Sequence, residues 1–413
     1  MNAAIHARRL TRPFATPGTA TMVFGTVIAA AAAYGFQLVA GRALGPEEFA
    51  PITVLWTMQF LVFTTVFLPM EQLTIRRLSV THPERPPRML FTAVIGTATI
   101  VVTGFAAVTL NRLLAGDAVY LAVVALLIVA YGGFALARGS LAGRHRFADY
   151  GWTTMAESVV RLGVAVLVIV AGFGVVGVAW SLIPGALVIF AWRPFRVGDA
   201  APSAAPAATG TGAALAAFVT ANAASQTIVA AGPLLVASLG GGPAEVSIFF
   251  ETFLLFRAPL TVAYNLIARV LPPFTRAVET GDRGRLARWA VQVGAVTAVV
   301  AGGGYVAGRL VGPGLVALFL GEEFRPSAAL AAFAIGGVVI ATAALFVQQM
   351  LVALRATSKL ALAWFGGLAA AAVTILTTTG SASHRVGLAF LIGEGVALVL
   401  IVAAVRAEAL RRP

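Results

Sequence analysis

The chain has 413 residues, 59% of them hydrophobic and only 11% charged, with a mean hydropathy of +0.92 and no cysteine. An ordinary soluble domain carries roughly a quarter charged residues, so this composition excludes a soluble globular fold. The missing cysteines exclude a disulfide framework, a thiolate metal site and a cysteine nucleophile. The formal net charge of +13 would suggest nucleic acid in a soluble protein. Here the arginines sit in short loops between apolar runs, so most of them read as orientation signals and no nucleic-acid partner is expected.

Apolar stretches long enough to cross a hydrocarbon core of about 30 Å recur along the whole chain. Twelve are predicted, near 18–40, 48–76, 88–110, 118–140, 150–171, 173–192, 213–238, 245–275, 285–308, 326–354, 358–379 and 384–405. The basic N-terminal stretch ahead of the first is signal-peptide-like, but the span is long and reads as a retained helix. With this layout 21 of the 29 Lys and Arg residues fall on one side, 5 on the other and 3 inside spans. The asymmetry predicts that both termini are cytoplasmic.

The second span closes on FLPMEQLTIRRLS, Phe67–Ser79. Arg76 and Arg77 reach the headgroups there, whereas Glu71 lies about 7 Å further in at 1.5 Å per residue. Its simplest partner is Arg76 or Arg77. Span one carries Tyr34 and Gln37. Span five holds Glu157 and Arg161 at i and i+4 on one face, with Arg161 roughly 16 Å deep. Two readings of this pair stand: a self-neutralising structural couple, or a cavity-facing cation moderated by its neighbour.

Between spans six and seven, VGDAAPSAAPAATGTG is rich in Pro and small residues and has no apolar face. The expected organisation is therefore an N-terminal six-helix lobe (1–196), a cytoplasmic linker (197–212) and a C-terminal six-helix lobe (213–413). GPEE at Gly45–Glu48 and GPAE at Gly242–Glu245 each open a long span, and LAGRHRF and VALRATS follow spans four and ten. These echoes suggest duplicated halves related by a pseudo-twofold along the membrane normal.

Span seven offers Asn222 and Gln226 at i and i+4, and its GPLL stretch predicts a bend, because Pro233 removes a helical donor. In span eight Arg257 falls near the midplane, with Glu251 on another face and Tyr264 seven residues on along its own. Its partner must come from elsewhere: a protein carboxylate or an anionic ligand. Arg269 lies nearer the cytoplasmic end, where snorkelling and function are equally open. Gln348 and Gln349 add amides in span ten. Glu394, flanked by glycines in span twelve, reads either as a proton-coupling carboxylate or as a protonated acid bonded to a neighbouring helix. Each amide alone is also ordinary interhelical glue.

The run GRALGPEEFAPITVLWTMQFLVFTTVFLPMEQLTIRRLS, with GSLAGRHRFADYG and RAPLTVAYNLIARVLPPFTRAVETGD, resembles polysaccharide-export flippases of the Wzx type. These belong to the multidrug/oligosaccharidyl-lipid/polysaccharide exporter superfamily. The resemblance covers the whole span layout, although its motifs are loose. It implies an all-α integral membrane protein of two six-helix lobes around a central cavity. It also implies export of a polyprenyl-diphosphate-linked oligosaccharide across a bacterial inner membrane by alternating access.

Under that reading Arg161, Arg257 and Arg269 would serve a diphosphate, because a guanidinium is always charged and bonds bidentately. Tyr264, Tyr34, Asn222, Gln226 and Gln37 would serve the glycan. Glu157, Glu394 and Glu71 would couple ions or pair charges. Expected partners are the lipid-linked saccharide, membrane lipids and other polysaccharide-assembly membrane proteins. No cofactor is expected, and the four histidines lack metal-ligand spacing. Two further classes stand beside this one: an ion-coupled exporter of small molecules, and a membrane-embedded glycan polymerase, ligase or glycosyltransferase. The short outer loops and missing nucleotide motifs argue against an enzyme.

Overall fold

A computed structural model describes residues 19–78, 88–195, 219, 223–258, 260, 263 and 274–410. The described residues are helical throughout, without strands. Among them are ten helices long and apolar enough to cross a membrane. They match ten of the twelve expected spans; the other two, 213–238 and 245–275, extend beyond the described residues. The chain is thus a multi-pass, all-α membrane protein. Helices suit this solvent because each satisfies its own backbone polar groups where no water is at hand.

The helices are α1 (Thr19–Glu48), α2 (Ala50–Leu78), α3 (Arg88–Val108), α4 (Val119–Gly143), α5 (Phe147–Val170) and α6 (Gly174–Trp192). After them come α7 (223–238, its second part Gly232–Ser238), α8 (Pro243–Phe256), α9 (Arg283–Leu320), α10 (Ala328–Ala353), α11 (Thr357–Thr377) and α12 (Ala382–Ala409). Three depart from uniform spans. Within α2 a π-helical turn occupies Phe63–Phe67. Pro184 divides α6 into short helical pieces. And α9 continues to Leu320, twelve residues past its expected end. Gly308 and Gly312 let it lie close against Ala331 in α10: an added Cβ would come within 2.7 Å of the Ala331 carbonyl oxygen at Gly308 and 2.6 Å of its Cβ at Gly312. This packing carries the helix through Pro313, and Arg309 lies within it.

The quoted echoes correspond to matching local geometry. Gly45 and Gly242 each precede a helix-initiating Pro, and the first i→i−4 bond closes on their carbonyls, from Phe49 and Val246, at 3.1 Å in both. At the ends of α4 and α10, His145 and Arg355 adopt left-handed φ of 59° and 57°. The Arg146 and Ala356 N–H groups then fold back to the Leu141 and Leu351 carbonyls, both at 2.9 Å. That is one helix-terminating turn built twice.

The chain divides into two compact units. Unit 1 contains the described parts of Met1–Ala43, Val62–Leu110 and Gly116–Val219; unit 2 contains Leu44–Leu61, Asn111–Ala115 and the described parts of Thr220–Pro413. In unit 1, Gly139 and Gly143 on α4 pack against α2: a Cβ at Gly143 would meet Leu78 Cβ at 2.7 Å. In unit 2, α11 and α12 cross backbone to backbone at Gly367 and Gly393, where a Cβ on Gly367 would reach the Gly393 carbonyl at 2.6 Å. Small residues at crossings are how membrane helices gain dispersion contact, since lipid tails are as apolar as leucine.

Candidate functional site

In unit 1 the intramembrane charges neutralise one another. Tyr131 and Arg138 lie seven residues apart on α4, and Tyr150 and Glu157 seven apart on α5, a spacing that keeps each pair on one helical face. Arg161 binds Glu157 at 2.7 Å and the Tyr131 hydroxyl at 2.7 Å; that hydroxyl donates to Glu157, and Ser158 donates to the other carboxylate oxygen at 2.7 Å. Arg161 is 5% exposed and Glu157 6%. Arg161, expected at the substrate, is therefore held as one half of a buried structural pair.

Glu71 provides a second correction. Its described partners are not Arg76 or Arg77 but Arg138, at 3.3 Å, and the Tyr150 hydroxyl, which donates to it at 3.1 Å. Arg138 also donates to Tyr150, and its guanidinium lies over the Phe63, Phe134 and Tyr150 rings. The physical reason is direction: Glu71 is 2% exposed and faces α4 and α5, whereas Arg76 and Arg77, five and six residues on, lie on other faces of the same helix. Arg138, grouped by sequence with the cytoplasmic arginines, is a buried cation. Tyr131, Arg138 and Tyr150 were not singled out from the sequence, though the seven-residue spacings Tyr131–Arg138 and Tyr150–Glu157 were visible there. Tyr34 and Gln37 also lie in unit 1; Gln37 is 1% exposed, and its amide makes no hydrogen bond with a described residue.

Unit 2 is built differently. A cavity of about 200 Å³ is lined by Trp56, Phe60, Phe249, Phe250, Phe253 and Phe390, with Arg257 in its wall. The rings pack on each other: Phe249 stacks on Phe253 at 4.4 Å, and Phe253 meets Phe390 edge-on at 5.0 Å. Arg257 caps α8 and donates through Nη2 to the carbonyl of Val229 in α7. Pro233, four residues beyond Val229, has no N–H to return to that carbonyl. The guanidinium therefore supplies the donor that the proline withholds, where α7 is interrupted at Ala231.

Val229 also lines a neighbouring cavity of about 250 Å³, together with Gln226, Gln348, Gln349, Trp364 and Glu394. Arg257 is close enough to Glu394 for their charges to interact. The structure thus brings Gln226, Arg257 and Glu394 together. Asn222, Tyr264 and Arg269 lie outside the described residues. No cluster of three or more metal-ligating side chains occurs among the described residues.

No family model matches the sequence. Two similar proteins of Mycobacterium tuberculosis, both described as uncharacterized, are 28% identical over 413 residues (91% of this chain, 90% of the relative) and 27% identical over 429 residues (98% and 94%). Among solved structures, an inward-facing multidrug resistance MATE family transporter of the MOP superfamily superimposes with a TM-score of 0.71 at 13% identity, over 92% of this chain and 94% of that one. A Pyrococcus furiosus MOP superfamily transporter, whose title describes a binding pocket of reverse polarity, gives 0.62 at 13% identity, over 94% and 95%. The chain has the fold of these transporters. The arginine-bearing aromatic cavity and the amide-lined cavity beside it are both lined by residues of unit 2.

Proposed function

We propose that the protein is a flippase for a polyprenyl-diphosphate-linked oligosaccharide, moving it from the inner to the outer leaflet of a bacterial inner membrane by alternating access of two lobes. Both termini would be cytoplasmic, as the loop arginines suggest. The observation that carries this reading is Arg257: a permanent cation set in the wall of an aromatic cavity, at a position that the span layout puts near the midplane. Intramembrane arginines are costly and persist where they are paired or line a ligand path. A guanidinium matches a diphosphate in charge and fork geometry, while the surrounding rings suit an isoprenoid chain better than a hydrated ion. Arg161 has no direct part in this scheme, because Glu157 and Tyr131 hold it.

The test is translocation of a fluorescent polyprenyl-diphosphate saccharide in proteoliposomes. R257A should abolish it and R257K should reduce it at least tenfold. The double variant P233A/R257A, which returns a helical donor to Val229, should fold normally and still fail to transport. Undiminished transport in that double variant refutes the role of Arg257.

A second reading, export of small amphiphilic molecules, is favoured by one observation: the multidrug transporter superimposes with the higher TM-score of the two structures described. Energised dye extrusion from the same vesicles, without movement of the lipid-linked saccharide, would decide for it.

A further inference from the structure

The cavity beside Arg257 has a wall of mixed polarity. Glu394 is fully buried, and neither of its carboxylate oxygens accepts a hydrogen bond from a described residue. Arg257 offsets part of its charge, but leaving both oxygens without a hydrogen-bond donor in the membrane is expensive, so the wall suits something that donates to it. The glutamines around it are partly committed. Gln348 accepts from Trp364 Nε1 at 3.1 Å, which leaves its NH₂ to offer. Gln349 donates to the Leu345 carbonyl at 3.2 Å, which leaves its own carbonyl to accept. Gln226 brings one group of each kind.

A bare cation would call for acceptors alone, and a phosphate for donors alone. Hydroxyl groups both donate and accept. A wall that offers both donors and acceptors beside a carboxylate, with the flat indole of Trp364 at hand, therefore matches a neutral polyhydroxylated ring. The space suits it as well: about 250 Å³ holds roughly eight waters at about 30 Å³ each, which ring hydroxyls would displace. Val229 lines this cavity and the aromatic one alike.

We propose that the Glu394 cavity is a saccharide subsite, receiving the sugar next to the diphosphate, with Glu394 and Gln349 accepting from its hydroxyls and Gln348 and Gln226 donating to them. This rests on the reading that Arg257 engages a diphosphate, but its test stands apart from transport. The full chain in nanodiscs would be titrated with glucose, galactose, rhamnose and N-acetylglucosamine at fixed pH and ionic strength. Tryptophan fluorescence would be followed in the wild type, W364F, E394Q and Q348A, with sodium and potassium chloride as cation probes.

At least one sugar should give a saturable change that W364F lacks and that E394Q and Q348A shift at least tenfold to higher concentration. Silence from every sugar, an equal response in W364F, or saturation by sodium instead overturns the subsite. If sugars saturate the site but no lipid-linked saccharide is moved, the flippase reading fails and the subsite stands. If E394Q and Q348A transport at the wild-type rate, the subsite fails and the flippase reading stands.

Discussion

Arg257 donates to the carbonyl of Val229, the one carbonyl in α7 whose helical donor position is taken by Pro233. Sequence order hides this link, since 28 residues separate the two. An unsatisfied buried carbonyl costs about 1–3 kcal/mol. R257A should therefore lower stability by about that much in wild type, and by less in P233A, where residue 233 regains its N–H. A double-mutant cycle read by thermal unfolding in detergent should give a coupling of about 0.5–3 kcal/mol. Strict additivity of the two substitutions would show that the guanidinium does not replace the missing donor.

The pairing of Glu71 with Arg138 makes an asymmetric forecast. Removing one partner of a buried ion pair strands the other and costs about 3–5 kcal/mol. R138A should thus sharply reduce the folded yield, whereas R76A, at an exposed position, should change stability by no more than about 0.5 kcal/mol. The combination E71L/R138M should recover much of the loss, because apolar replacement of a whole buried pair is often neutral. Equal damage from R76A and R138A would restore the pairing expected from sequence.

Within the second network, Tyr131 bridges Arg161 and Glu157 through one hydroxyl. Y131F keeps the ring contacts with Phe63 and Phe134 while deleting that bridge. A loss of about 1–3 kcal/mol is expected, with saccharide transport retained in whatever fraction remains folded. Selective loss of transport in fully folded Y131F would mean that this network handles substrate after all.

The span layout was legible because hydropathy and loop charge are local properties: a twenty-residue apolar run announces itself wherever it lies. The GPEE and GPAE starts were readable for the same reason, a Gly-Pro pair acting on its own backbone. Which buried charges meet was not legible. Arg138 lies five residues before the end of α4, so composition alone ranks it with the headgroup arginines; only its orientation toward α2 and α5 makes it Glu71's partner. The far end of α9 was misjudged similarly, since Pro313 ends an isolated helix more readily than one braced along Ala331. Arg257 and Glu394 were flagged individually by their depth, but no pattern in the chain indicated that they stand beside adjoining cavities.

The crossing of α11 and α12 gives the last forecast, a contrast between two glycines two residues apart. A methyl group at Gly393 would sit 3.0 Å from Ala371 Cβ and 3.1 Å from the Gly367 carbonyl, whereas one at Gly395 would meet nothing within 4 Å. Both are mid-helix, where Ala is preferred to Gly by roughly 0.5–1 kcal/mol. G395A should therefore raise the melting temperature or leave it unchanged. At Gly393 and Gly367 crowding opposes that gain, and overpacking costs typically about 1–3 kcal/mol, so G367A and G393A should both melt lower. Both glycines adjoin Glu394, but only at Gly393 would the added methyl force the backbone to shift, so G393A should also weaken the sugar response expected of the cavity, and G395A should not. If all three alanine variants melt alike, the backbone contact between these helices is not as close as the geometry requires.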